Sequence, residues 1–195
     1  MRQADAVPPR PRPRDPFVAT IRLVLDVARR RKFRAALIGG FALPFHGVQR
    51  ATGDVDFLVA VEGADALDDA LLAAGARRLY RSADAANYAP GASPLAPVDF
   101  LYAGRPRARD MLRRARGRPL GRRDLRVPVV DVEGLIGLKL QALVNQPSRV
   151  QDEADIRALL AAARRRLNLE RLRDYYRLFD REPELERLLA DVPER

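Results

Sequence analysis

The chain contains no cysteine and one histidine, His46. The missing thiols exclude disulfides, thiolate metal sites and cysteine nucleophiles. A single imidazole cannot build a multi-histidine metal centre, and it supplies most serine–histidine schemes poorly. Long apolar runs are also missing, since none approaches the roughly 18 residues that a membrane span needs. Residues 1–14 are polar and rich in Pro and Arg, without the apolar stretch of a secretory signal. The expectation is a cytoplasmic protein with no membrane partner. Lysine is scarce too: of 36 basic residues only Lys32 and Lys139 are lysines.

What is present suits a folded enzyme-sized unit. The 195 residues are 47% hydrophobic, enough to bury a core for one domain or for a catalytic domain with a small helical extension. The formal net charge of +10 has two readings. One is a polyanionic partner such as RNA. The other is the compositional drift of an arginine-rich chain, because the basic residues are scattered and no aromatic-interleaved stripe appears.

Asp15-Pro16 is a helix start, with Asp as N-cap and Pro in the first turn, and apolar positions at helical spacing carry that helix to about residue 31. Strands are expected at 35–38, 54–61, 77–81, 97–102 and 125–130, with a short one around Tyr88 inside a loop at 83–94. Gly39-Gly40 reads as a turn, followed by a short helix over 41–46 interrupted by Pro44. Helices are expected at 64–74 and 107–116, then from 132 onward one striped by Leu135, Leu138, Ala142 and Leu143, followed by others at 148–165, 169–179 and 183–191. This predicts an α+β fold, a small mixed sheet flanked by helices. It divides into a disordered basic tail at 1–14, an α/β core at 15–131 and a helical region at 132–195.

Asp54-Val55-Asp56 opens an apolar strand, and residues i and i+2 of a strand point to one face. Their Cα atoms lie about 7 Å apart, so two carboxylates can converge on hard cations. Val98-Asp99-Phe100-Leu101 repeats Val55-Asp56-Phe57-Leu58 and places a third aspartate in an apolar strand. A bare carboxylate there needs a compensating charge. Divalent metal supplies it in one reading; in the other, Asp99 pairs with an arginine or sits at the strand's edge. Gly39-Gly40 ends a buried strand, where backbone without a Cβ can approach a phosphate and its N–H groups can bind it. Arg50 is a candidate phosphate clamp or a surface arginine; Thr52 a ligand of the loop or nucleotide, or a cap. His46 reads as a packing histidine. Lys139 interrupts the apolar run 135–140, so it is either a compact ammonium aimed at a triphosphate or a snorkelling lysine. Asp152 and Asp155 share one helix face and can orient Lys139 or Arg149, or simply favour a helix N-terminus.

Gly39-Gly40, thirteen intervening residues and Asp54-Val55-Asp56 resemble the signature of the DNA polymerase-beta nucleotidyltransferase superfamily. The fuller strings Leu37-Ile38-Gly39-Gly40-Phe41-Ala42, His46-Gly47 and Arg50-Ala51-Thr52-Gly53-Asp54-Val55-Asp56-Phe57 look like its AbiEii/MenT branch of toxin–antitoxin nucleotidyltransferases. Lys139 with Ala142, then Arg149 with Asp152 and Asp155, match that branch's later pattern, so the resemblance spans about residues 34–160. Gly40 stands where the superfamily often has serine, and the helical C-terminal part is shorter than the branch tends to have.

The resemblance implies transfer of a nucleoside monophosphate from a nucleoside triphosphate to an acceptor hydroxyl, with release of pyrophosphate. Asp54, Asp56 and Asp99 would hold two Mg²⁺ ions, or Mn²⁺. Gly39, Gly40, Arg50, Thr52 and Lys139 would hold the nucleotide, supported by Arg149, Asp152 and Asp155. The acceptor expected is RNA such as tRNA, with an antitoxin protein as partner. A small-molecule or protein acceptor, or a non-catalytic nucleotide-binding relative, are the alternatives.

Overall fold

The computed structural model describes residues 15–92, 94–121 and 125–192; the tail expected to be disordered at 1–14 lies outside them. Asp15 caps the first helix as its sequence predicts. Its carboxylate accepts the Phe17 N–H at 2.9 Å, Pro16 fills the first helical position, and α1 runs Pro16–Arg31. Lys32, in the left-handed conformation, closes it.

Seven strands follow among the described residues: β1 (Ala35–Ile38), β2 (Val55–Ala60), β3 (Arg77–Arg81), β4 (Ala85–Ala89), β5 (Val98–Ala103), β6 (Arg116–Pro119) and β7 (Arg126–Val129). Their order across the sheet is β3-β4-β5-β2-β1-β7-β6. The β2–β5 and β1–β7 pairs are parallel and the others antiparallel. This is the mixed sheet of the expected α+β class. β6 was not expected: Arg-Gly-Arg-Pro has neither apolar alternation nor β-branched residues, and only its pairing with β7 makes it a strand.

The helices are α2 (Gly39–Ala42), α3 (Ala64–Ala73), α4 (Pro106–Arg114), α5 (Val132–Asn145), α6 (Val150–Ala163), α7 (Leu169–Arg177) and α8 (Glu182–Asp191), with a 3₁₀ turn at Leu43–His46. Gly39 and Gly40, expected as a turn before a helix, are instead the first two residues of α2. One apolar core cluster extends from Ile21 of α1 to Leu189 of α8. None of the described helices is long and apolar enough to cross a membrane.

The two faces of the sheet are identified by side-chain contacts. Arg78 and Arg81 of β3 and the Tyr88 hydroxyl of β4 all bond Asp68 of α3, so that face is the one α3 covers. Tyr88 is opposite Val98, and Val98 opposite Val55. Strand alternation then turns Asn87, Asp99 and Asp56 to the other face.

Candidate active site

The duplicated tetrapeptides lie side by side. In the parallel β2–β5 pair, Val55 is opposite Val98, Asp56 opposite Asp99, Phe57 opposite Phe100 and Leu58 opposite Leu101. Asp54 stands immediately before β2. One carboxylate oxygen from each of Asp54, Asp56 and Asp99 lies within 4.8 Å of the others. Thr52 donates its hydroxyl to Asp54 Oδ1 at 2.9 Å, which orients that carboxylate. Asn87 lies opposite Asp99 on β4, which sets its amide beside the Asp99 carboxylate, where it favours the ionised form. Sequence reasoning missed Asn87. A lone polar residue in a short strand gave no signal until the β4–β5 register was known.

Electrostatics reflect the crowding. The Asp56 carboxyl is pushed up to about 7, first by burial and then by the charges of Asp54 and Asp99; the Gly40 backbone N–H and Lys139 oppose the rise. Burial also raises Asp99, assisted by Asp54 and opposed by the Asn87 hydrogen bond. Such a group of half-buried carboxylates favours an added cation.

Gly39 explains how the backbone comes so close. It holds φ +59°, and a Cβ built on it would sit 1.9 Å from Asp56 Oδ2. A Cβ on Gly40 would lie 2.6 Å from Thr52 Oγ1 and 3.0 Å from Arg50 Nη2. The first glycine is needed for its conformation and for close approach, the second for close approach alone.

A second cluster faces the first. Lys139 of α5 is buried, and its Nζ donates to Asp152 Oδ1 at 2.9 Å and to Asp155 Oδ2 at 2.6 Å, both on α6. The snorkelling alternative for Lys139 is therefore excluded. Arg149 Nε donates to the other oxygen of Asp152. Burial alone would raise Asp152, but hydrogen bonds from Lys139 and Arg149 hold its carboxyl below the ordinary range. Asp155 also accepts from Gln151 at 3.1 Å and lies 3.4 Å from Arg50 Nε. Asp152 and Asp155 thus restrain Lys139, Arg149 and Arg50 together.

The two clusters share a cleft of about 680 Å³ whose walls include Gly39, Gly40, Arg50, Asp54, Asp56, Lys139, Arg149 and Asp152. Ser148 and Gln151, which the sequence did not single out, also line it. Asp99, Thr52 and Asp155 do not line it; Asp99 lies within 4.8 Å of Asp54 and Asp56, Thr52 bonds Asp54, and Asp155 lies 3.4 Å from Arg50. His46 lies outside: its ring is buried, and Nε2 donates to the Val130 carbonyl at 2.9 Å, a packing role. With five aspartates against Lys139, Arg50 and Arg149, the ionised site carries an excess of two negative charges. It can take divalent cations, and its cationic wall can take a polyphosphate.

A family model for the nucleotidyl transferase AbiEii toxin of a type IV toxin–antitoxin system matches residues 27–193. No curated protein sequence matches the chain. Among solved structures, the chain is similar to ANT(2″)-Ia in complex with adenylyl-2″-tobramycin, with 17% identity over 84% of this chain and 96% of that one, and a TM-score of 0.63. It is also similar to an antigenic nucleotidyltransferase-like protein from Paracoccidioides brasiliensis, with 17% identity over 89% and 91% of the two chains and a TM-score of 0.53. At these identities the structural likeness is one of fold.

Proposed function

The chain belongs to the AbiEii nucleotidyltransferase family, and from that premise we propose that it moves a nucleoside monophosphate from a nucleoside triphosphate to a hydroxyl of an RNA acceptor, tRNA being the leading candidate. The observation that carries this reading is the convergence of Asp54, Asp56 and Asp99 within 4.8 Å, beside a glycine whose missing Cβ leaves room for the Asp56 carboxylate.

The residues fit divalent metal. Three carboxylates crowd one another, and burial makes their negative charge costly until a cation offsets it. Asp54, Asp56 and Asp99 would hold two Mg²⁺, or Mn²⁺, which when bound supply charge neutralisation at the phosphate and lower the pKa of the acceptor hydroxyl. The protein's own groups do the positioning. The backbone at Gly39 and Gly40, together with Arg50 and Lys139, faces the triphosphate. Two donors of the Lys139 ammonium are committed to Asp152 and Asp155, and its third is available to a phosphate oxygen. Thr52 keeps Asp54 in its rotamer, and Asn87 stands beside Asp99 on the neighbouring strand.

In the reaction the acceptor oxygen bonds to the α-phosphorus as the bond to the β-phosphate bridging oxygen breaks. Pyrophosphate leaves with that electron pair, and Asp99 accepts the hydroxyl proton. Fixed charge and in-line positioning supply the rate. The net charge of +10 supports a polyanionic acceptor. The family's toxin–antitoxin membership supports an antitoxin protein as a further partner.

Asp56→Ala tests the assignment. With labelled ribonucleoside triphosphates, Mg²⁺ and total cellular RNA, wild-type protein is expected to label RNA and release pyrophosphate. The variant is expected to lose about 10²–10³-fold or more, the scale for removing one preorganised charge-stabilising group, with an unchanged circular dichroism spectrum. Turnover that survives the substitution would overturn the assignment.

A further inference from the structure

One row of side chains leads away from the carboxylates along the sheet. Asp56 is opposite Asp99, Asp99 opposite Asn87, and Asn87 opposite Tyr80. Residues paired across strands share a face, so Tyr80 stands on the face of Asp99 and Asp56, not on the face covered by α3. Strand spacing places its Cα about 10 Å from that of Asp99. The β3–β4 register shifts between Arg78 and Tyr80, leaving Leu79 as the extra residue of a bulge. That bulge has a consequence for the site. In a regular strand residues 77 and 80 would point to opposite faces; with one residue inserted, both point the same way. Arg77, opposite Ala89, therefore joins Tyr80 on the face of Asn87. Arg77 is exposed and makes no ion pair among the described residues.

This end of the face is open. Tyr80 is 54% exposed, Leu79 55% and Leu101 41%, while the floor between them is made of Ala85, Asn87 and Ala89. An open strand surface with a small-residue floor, one free aromatic ring and one free guanidinium matches what an unpaired nucleotide strand uses. Bases stack on exposed rings on a sheet, and arginine takes the phosphate between them.

Resting on the reading above, we propose that the open face of β3–β4–β5 is the acceptor platform. It takes the unpaired 3′ end of an RNA, with a base stacked on Tyr80, a backbone phosphate on Arg77 and the terminal ribose hydroxyl directed along the row to Asp99. Asn87 is then a positioning residue, set between Tyr80 and Asp99 in the row at the platform's inner edge. The triphosphate enters from the other side of the carboxylates, through the cleft between Gly39 and Arg149, so donor and acceptor approach the triad from opposite sides.

The test uses the full chain, Mg²⁺, a nucleoside triphosphate and a fluorescent single-stranded RNA oligomer. Tyr80→Ala is expected to raise the RNA Kd and the RNA KM about tenfold, the scale of one lost stacked base, with the KM for the nucleotide unchanged. Tyr80→Phe is expected to restore RNA binding, because the ring does the work. Arg77→Ala is expected to weaken RNA binding several-fold, whereas Arg30→Ala, the same charge loss at an exposed position of α1, is expected to stay within about twofold if binding is localised. Tyr80 and Arg77 are exposed, so thermal unfolding should be unmoved. If Tyr80→Ala binds and labels RNA like wild type while Asp56→Ala does not label it, the platform is wrong and the enzymatic reading stands. If wild type neither binds nor labels RNA, the RNA acceptor fails and the platform with it.

Discussion

Asp56 concentrates the physics of the site in one side chain. Its carboxyl is raised from the ordinary 3.8 to about 7, by burial first and by Asp54 and Asp99 next. The native protein therefore holds a proton that the unfolded chain releases as pH rises above about 4. Stability contributed by that proton is fully present below the unfolded pKa and is lost as pH climbs through about 7. Metal-free protein is thus expected to melt at a lower temperature at pH 8 than at pH 5.5 so far as this cluster is concerned. Asp56→Asn should flatten the trend. Divalent cation works in the opposite direction, because it binds the deprotonated carboxylates. Mg²⁺ or Mn²⁺ should raise the midpoint more at pH 8 than at pH 5.5, and at 100 times its Kd the gain is about 2.7 kcal/mol. Calorimetry in chelator and in metal, at both pH values, reads this directly. A wild-type curve flat in pH, with no extra metal response at pH 8, would contradict it.

Among the elements, α5 and α6 are joined by a buried ion cluster set within their apolar contact. Lys139 puts a buried charge among the apolar residues Leu135, Ile136 and Leu140 of α5, and Asp152 and Asp155 come from the facing helix to meet it. Removing one partner from such a cluster leaves charge buried and uncompensated, which costs about 3–5 kcal/mol. Lys139→Met should therefore lower unfolding free energy by about that amount in a urea titration. Lys139→Met with Asp155→Asn should recover part of it, since one orphaned charge is gone; a double variant no more stable than the single would show that the cluster is not the cause. Much at this scale was legible beforehand. Helical periodicity and the Asp15-Pro16 start marked α1, and the rarity of lysine drew attention to Lys139 before any helix pairing was known. The unreadable parts depend on partners distant in sequence. β6 carries no strand pattern of its own, and Asn87 gains meaning only because β4 lies against β5 in the register that faces it to Asp99.

At the scale of the whole molecule, the sequence displayed Val-Asp-Phe-Leu twice but not that the two copies are neighbours in matched register. The parallel β2–β5 pairing supplies that fact, and with it the convergence of Asp56 and Asp99. Extending the same row across β4 to β3 separates the cleft walled by Lys139, Arg149 and Arg50, the proposed donor side, from the open face that carries Arg77 and Tyr80, the proposed acceptor side. A net charge of +10 would draw a polyanion such as RNA to many parts of this surface, so affinity alone does not locate the strand. Salt dependence does. Each phosphate neutralised on a single strand contributes about 0.7 to the slope of log affinity against log salt. Arg77→Ala should flatten that slope by about 0.7, measured by fluorescence anisotropy between about 50 and 300 mM salt. Arg30→Ala removes an equal charge from α1 and should leave the slope where it was. Equal flattening by both variants would mean that RNA is held by diffuse charge over the whole protein, and that the bulge placing Arg77 on the sheet face of Tyr80 and Asn87 has no part in binding it.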